Sequence, residues 1–261
     1  MKITFYKYHG TGNDFIMVNG ISNPDILSIS NEQVAHFCHR RFGIGADGFI
    51  ILGESPRADF KMIYYNSDGR KSTMCGNGGR CIASFAYHQR ISQKNILFEA
   101  VDGLHQAKII DNGEVELEMI DVDSFDKLSD DTYEIQTGSP HFVHFLESID
   151  QKEISTYGAA IRYSDVYSEH GINVNTASYK DKQLQVRTYE RGVEDETYSC
   201  GTGITAAALC ATDFYKFNQQ SINVIAKGGQ LQVTFRKEGE SFSNVKLIGP
   251  TTFVYKGELE L

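Results

Sequence analysis

The chain has 261 residues, enough to bury one or two cores without help from disulfides or metals. Its 41% hydrophobic and 23% charged residues are ordinary for a soluble globular protein. A formal net charge of −9 without any run of Lys or Arg argues against nucleic acid or an anionic membrane as partner, although a helix N-terminus can still bind a small anion.

The opening segment, MKITFYKYHGTGNDF, alternates as a strand does and has no signal-peptide apolar region. No run approaches the roughly 18 apolar residues of a membrane span, so a cytoplasmic location is expected. Strand-like runs lie at 3–8, 49–52, 60–65, 96–101, 106–110 and 114–119. A second set lies at 142–146, 184–189, 222–226, 231–235, 245–248 and 252–255, with Gly, Asn, Asp and Ser clusters between them. Helical patterns are few. One covers 31–40, with Asn31 placed to cap it. The other two follow the segments MCGNGGRC and SCGTGI, both of the form Cys-Gly-x-Gly followed by small and apolar residues. In the second, Ile204, Ala206, Ala207, Ala208, Leu209 and Ala211 cover every side of a helix, which predicts burial all round.

The two segments lie 125 positions apart (200 − 75), close to half the chain, and each follows a strand that ends in a polar turn. This spacing points to an internal duplication. The expected fold is α/β (α+β), with two pseudo-symmetric domains, each a mainly antiparallel strand barrel around a central helix. The expected halves are 1–119, with 251–261 returning to it, and 120–250, the border falling at 120–126.

Five cysteines in a chain without a leader do not make a disulfide framework, and no CxxC or paired ligand spacing suggests zinc. Cys38, Cys81 and Cys210 read as small buried hydrophobes. Cys75 and Cys200 differ because each heads a glycine-rich helix start. There the helix dipole can lower a thiol pKa, and the free N–H groups can hold a carboxylate. Two such segments facing each other across a cleft between the domains would hold a carboxylate with the neighbouring carbon between two sulfurs. Inverting that carbon needs a base on one face and an acid on the other, which one thiolate and one thiol supply. Helix-end N–H groups would stabilise the charge that develops, and no pyridoxal phosphate or other cofactor is required.

The motifs HGTGNDF, RRFGIGADG, YYNSDGRKSTMCGNGGRC, GSPH, GINVN and YERGVEDETYSCGTG occur in this order, and together they resemble the diaminopimelate epimerase family over nearly the whole chain. The resemblance implies an isomerase of lysine and peptidoglycan precursor synthesis that interconverts LL- and meso-diaminopimelate, as a homodimer. It implies Cys75 and Cys200 as the catalytic pair and Gly76, Asn77, Gly201 and Thr202 as the cradle of the reacting carboxylate. It implies Asn13, Asn66 and Asn173 as substrate contacts, Glu190 and Arg191 as a grip on ammonium and distal carboxylate, and His141 with Glu190 as tuners of the thiols. Two positions depart from the family pattern. Ser139 stands where Asn is common, and Gly48 where some members have Gln.

Plainer readings of the same residues stand beside these. Asn13 and Asn66 suit turns, Asn173 suits a loop cap, His141 can be a structural histidine, and Glu190-Arg191 can be a surface ion pair. Among other functions, a proline or hydroxyproline racemase-like epimerase uses similar logic. An NAD-dependent oxidoreductase is suggested only weakly by Gly201-Thr202-Gly203-Ile204-Thr205-Ala206, since an acidic loop precedes it and Gln219, Gln220 and Ser221 stand where an acidic residue belongs. A thiol–disulfide protein would want a CxxC, and a pure binding protein has no use for two thiols.

Overall fold

The computed structural model describes residues 2–261. Residues up to Leu117 together with Gly249–Leu261 form one compact unit, and Glu118–Ile248 form a second. In chain order the elements are β1 (Lys2–Gly10), β2 (Asn13–Asn19), α1 (Asn31–Cys38), β3 (Gly48–Gly53), β4 (Phe60–Asn66), α2 (Gly76–His88), β5 (Asn95–Ala100), β6 (Gly103–Ile109) and β7 (Val115–Glu118). They continue with β8 (Asp126–Lys127), β9 (Thr132–Gln136), β10 (Pro140–Phe145), α3 (Ile154–Arg162), β11 (Asn173–Lys180), β12 (Gln183–Glu190) and β13 (Asp195–Thr197). The last are α4 (Gly201–Phe214), β14 (Ser221–Ala226), β15 (Gly229–Glu238), β16 (Ser241–Gly249) and β17 (Thr252–Glu260).

The duplication is explicit in the pairing. The first unit runs β17-β1-β2-β3-β4-β5-β6-β7, with β2–β3 and β4–β5 parallel and the other joins antiparallel. The second runs β8-β9-β10-β11-β12-β14-β15-β16, with β10–β11 and β12–β14 parallel and the others antiparallel. In both, the parallel joins are the third-to-fourth and fifth-to-sixth. A parallel join needs a crossover rather than a hairpin. Accordingly α1 and α3 bridge the first parallel join of each unit, and α2 and α4 bridge the second.

The strands of each unit wrap the helix that follows its cysteine. Helix α2 packs on β1, β2, β3, β4 and β6, and α4 packs on β9, β10, β11, β12, β14 and β15. Strand parity divides the first core in two. Ile16, Val18, Phe49 and Ile51 join Val34 and Cys38 beneath α1. On the α2 side, a Cβ on Gly78 would stand 3.2 Å from Ile50 Cδ1 and Met62 Cε, and 3.6 Å from Phe15 Cε1. All six residues of β3 are therefore buried, being covered on both faces.

The structure corrects three local expectations. Helix α1 is capped by Ser30 in a reciprocal capping box with Gln33, so Asn31 is its first residue and not its cap. Asn13 opens a strand: Thr11 and Gly12, with φ of 50° and 88°, make a two-residue hairpin turn between β1 and β2. Helix α3 was not foreseen, because Gly158 at its centre reads as a breaker. Its packing explains that glycine, since a Cβ there would lie 2.3 Å from Cβ of the buried Tyr189. Alanine is favoured over glycine in a helix by about 1 kcal/mol, but overpacking against a fixed backbone-attached atom costs about 1–3 kcal/mol. Gly158→Ala is expected to lose up to about 2 kcal/mol on balance, read as a lower midpoint in urea unfolding.

Candidate active site

Both cysteines occupy the same local position. Cys75 is the N-cap of α2, with φ −102° and ψ 130°, and Cys200 is the N-cap of α4, with φ −109° and ψ 110°. Each carbonyl closes the first helical turn, from Gly79 N at 2.7 Å and from Ile204 N at 2.9 Å. Neither thiol caps its own helix, and neither first turn contains an acidic side chain to neutralise the positive helix end. The first-turn amides of Gly76, Asn77 and Gly78, and of Gly201, Thr202 and Gly203, stand where a helix has no partners of its own to offer them.

In the first unit the hairpin turn and α2 bring four of the expected residues together. The Cys75 thiol donates to Asn13 Oδ1 at 3.6 Å, and Asn77 Nδ2 donates to the same oxygen at 3.3 Å. Gly76 lies between them in sequence, as the first residue of α2. Asn66 ends β4 in a tight turn in which Gly69 N donates to its carbonyl at 2.9 Å, and its side chain is on the exposed side.

In the second unit Asn173, Ser139 and Arg191 form a second group. Asn173 Nδ2 donates to Ser139 Oγ at 2.9 Å and to Pro140 O at 3.1 Å, while its Oδ1 accepts from Arg191 N at 2.9 Å. The Arg191 guanidinium donates to His170 O at 2.7 Å and to Ser139 Oγ at 3.4 Å. Ser139 thus serves both neighbours with one short hydroxyl. Glu190 ends β12 immediately before Arg191, and its carbonyl accepts from Glu194 N at 2.8 Å. At α4, Cys200 Sγ lies 3.4 Å from Thr202 Oγ1, and Thr137 Oγ1 donates to Thr202 O at 2.9 Å.

His141 is wholly buried beside the same helix start, 3.3 Å through Cε1 from where a Cβ on Gly203 would stand. Asn175 Nδ2 donates to Phe142 O at 3.0 Å, which fixes that amide, so the 3.1 Å contact of the same nitrogen with His141 Nδ1 makes Nδ1 an acceptor. The ring proton then sits on Nε2, which has no hydrogen-bond partner among the described residues. Burial, aided by the charge of Arg191, holds the imidazolium pKa down to about 3, so His141 is neutral near pH 7.

The remaining thiols behave as packing groups. Burial pushes Cys38 and Cys81 up to about 12, and Cys210 is raised in the same way. Among the described residues, no group of three or more His, Cys, Asp or Glu could hold a metal ion, and no helix is long and apolar enough to cross a membrane. At Gly48 a Cβ would lie 2.6 Å from Tyr64 Cε2 and 2.8 Å from Tyr65 O, so the Tyr64 ring fills the space that a longer side chain would need. Sequence reasoning missed Asp47, Arg80, Asn175 and Thr188. Asp47 holds Asn13, Arg80 holds Asn77, and Thr188 donates to Asn175 Oδ1 at 2.8 Å. Only Arg80 left a signal, as the one Lys or Arg in a helix start rich in Gly.

The buried imidazole makes stability depend on pH. Its ordinary pKa is 6.5 and its folded one about 3, so between these values the unfolded chain takes up a proton that the native chain does not. This contribution is fully present above pH 6.5 and is lost as pH falls toward 3. Urea unfolding at pH 7 and 4.5 is expected to show a smaller acid-induced loss in His141→Gln than in the unsubstituted chain.

The diaminopimelate epimerase family model matches residues 5–124 and 133–254. A diaminopimelate epimerase of Flavobacterium psychrophilum is 46% identical over 253 residues, covering 96% of this chain and 98% of that protein. One of Chlorobaculum tepidum is 39% identical over 260 residues, covering 97% and 99%. Among solved structures, a Bacillus anthracis phenazine biosynthesis protein of the PhzF family matches with TM-score 0.77 at 13% identity over 100% of both chains. A hydroxyproline epimerase from Agrobacterium vitis matches with TM-score 0.69 at 15% identity, over 99% of this chain and 92% of that one. These structures share the fold, whereas the sequence matches go further: the chain belongs to the diaminopimelate epimerase family.

Proposed function

We propose that this chain interconverts LL- and meso-diaminopimelate without a cofactor, with Cys75 and Cys200 handling the proton on opposite faces of one α-carbon. What carries the reading is the identical N-cap placement of the two thiols in a duplicated scaffold, taken with family membership. One thiolate removes the α-proton: the C–H bond breaks, an S–H bond forms, and the electron pair passes into the carboxylate as an enediolate. The other thiol then gives its proton to the opposite face, so its S–H bond breaks and a new C–H bond forms. First-turn amides at Gly76, Asn77, Gly201 and Thr202 hold the carboxylate, and their hydrogen bonds strengthen as charge develops on it.

Asn13, Asn66, Asn173, Glu190 and Arg191 bind the rest of the substrate in this reading. Arg191 suits the distal carboxylate because its planar fork offers paired donors. His141 and Glu190 tune the thiols, and a neutral His141 does so through its Nε2 proton rather than through positive charge. A homodimer in the cytoplasm belongs to the same reading and is supported by family membership. The hydroxyproline epimerase likeness lies in the fold alone, and the 46% and 39% identical relatives are both diaminopimelate epimerases.

Proton NMR of the chain with LL-diaminopimelate in heavy water, without added cofactor, is expected to show the α-proton signal vanish as the meso isomer appears. Cys75→Ala and Cys200→Ala should each slow epimerisation by about 10²–10⁴-fold, the usual contribution of a general acid or base. Full retention of the α-proton by a reduced, folded sample would overturn the reading.

A further inference from the structure

The orientation of the Asn13 amide decides which of its two polar atoms faces Cys75. Two groups outside the expected site fix that orientation, and each can hydrogen-bond in only one sense. Arg80 lies three residues after Asn77 in α2 and is fully buried. Its guanidinium donates to Asn77 Oδ1 at 2.9 Å, to Thr11 Oγ1 at 3.3 Å and to Gly76 O at 3.3 Å. A guanidinium has no acceptor, so Asn77 must turn its oxygen to Arg80 and its nitrogen to Asn13.

At the other end, Asp47 Oδ2 accepts from Asn13 Nδ2 at 2.8 Å and from Asp14 N at 3.2 Å. A carboxylate donates nothing, so Asn13 must turn its nitrogen to Asp47 and its oxygen to Asn77 and Cys75. The turn after α1 delivers Asp47: Gly45 adopts a φ of 81°, Asp47 N donates to Asp14 O at 2.9 Å, and Arg40 pairs with Asp47 at 2.6 Å and with Asp14 at 2.7 Å. The result is one directed chain from Arg80 through Asn77 and Asn13 to Asp47. An amide oxygen beside sulfur accepts from a thiol and repels a thiolate.

We propose that Asp47 and Arg80 are positioning residues that lock the Asn13 amide oxygen onto Cys75, so that Cys75 rests as the protonated, acid member of the thiol pair. The proposal deepens the two-thiol reading and rests on it for its catalytic meaning. Its test reads the thiol itself. Among the described residues Cys75 is the only cysteine that is not buried, and alkylation follows the thiolate fraction. Iodoacetamide labelling of Cys75 is followed by peptide mass spectrometry across pH.

In Asp47→Asn, Arg40 takes the new amide oxygen and leaves an N–H facing Asn13, whose own amide then turns its nitrogen to sulfur. Cys75 labelling at pH 7 is expected to rise about tenfold, the equivalent of one hydrogen bond's contribution. Asp47→Ala, which removes the acceptor and offers no donor, should shift the profile the same way by less. Simple removal of a negative charge would act through space and fade in 1 M sodium chloride, where the Debye length is ~3 Å; amide reorientation would persist. A Cys75 profile unchanged in both variants, or a shift abolished by the salt, overturns the proposal. Because labelling needs no turnover, this result is separate from the fate of the Cys75→Ala activity test.

Discussion

A helix enclosed by strands can present its backbone to a ligand only at its ends. In both units this constraint governs the rest. Helices α2 and α4 are buried for most of their length, so each side chain along them is committed to packing, and the N-terminal turn remains the place where amides and a reactive side chain coincide. The small residues of Cys-Gly-x-Gly follow from the same enclosure. Gly203 has Asn175 Oδ1 only 2.4 Å from where its Cβ would be, and Gly78 has Ile50 Cδ1 and Met62 Cε at 3.2 Å. The glycines are there because strands close over the helix start, and that closure brings polar groups to the thiol.

Much of this was legible in the sequence because it rests on local periodicity. Alternation marked β1, β5, β10, β12 and β14 within a residue or two, and β6 without its first three residues. All-round hydrophobicity marked α4 as central, and the repeated cysteine segment marked the duplication. Elements defined by distant contacts were harder. The residues of β11, NVNTASYK, carry four buried polar side chains, and two of them, Asn173 and Asn175, hydrogen-bond around His141 and its neighbours. A polar run of that kind does not read as a core strand. Asp47 sits in a loop whose motif, GADG, says turn. Its hold on Asn13 arises only when β1, β2 and the turn after α1 converge. Arg80 shows the opposite case: its charge was visible, but one of its partners, Thr11, comes from a hairpin 69 residues earlier.

The two departures from the family pattern have different physical characters. Gly48 is compensated by bulk, since the Tyr64 ring already occupies the space beside it. Ser139 is compensated by convergence. A hydroxyl reaches less far than an amide, yet Asn173 and Arg191 both come to it, at 2.9 Å and 3.4 Å. In each place the residue present meets close neighbours in this chain, so neither position is left without contacts.

The first unit is closed by β17, which lies antiparallel to β1 from Lys2 opposite Glu260 to His9 opposite Thr252. Its counterpart in the second unit is β8, whose residues are contiguous with the strands it joins. The two units therefore mature differently during synthesis. The second has all its strands once Ile248 has left the ribosome. The first must hold β1 as an open sheet edge until β17 emerges, a pairing of very high sequence separation and of the kind that forms slowly. Without β17, β1 would keep an unpaired edge in the unit that carries Cys75, so the framework beneath that thiol depends on a strand far along the chain.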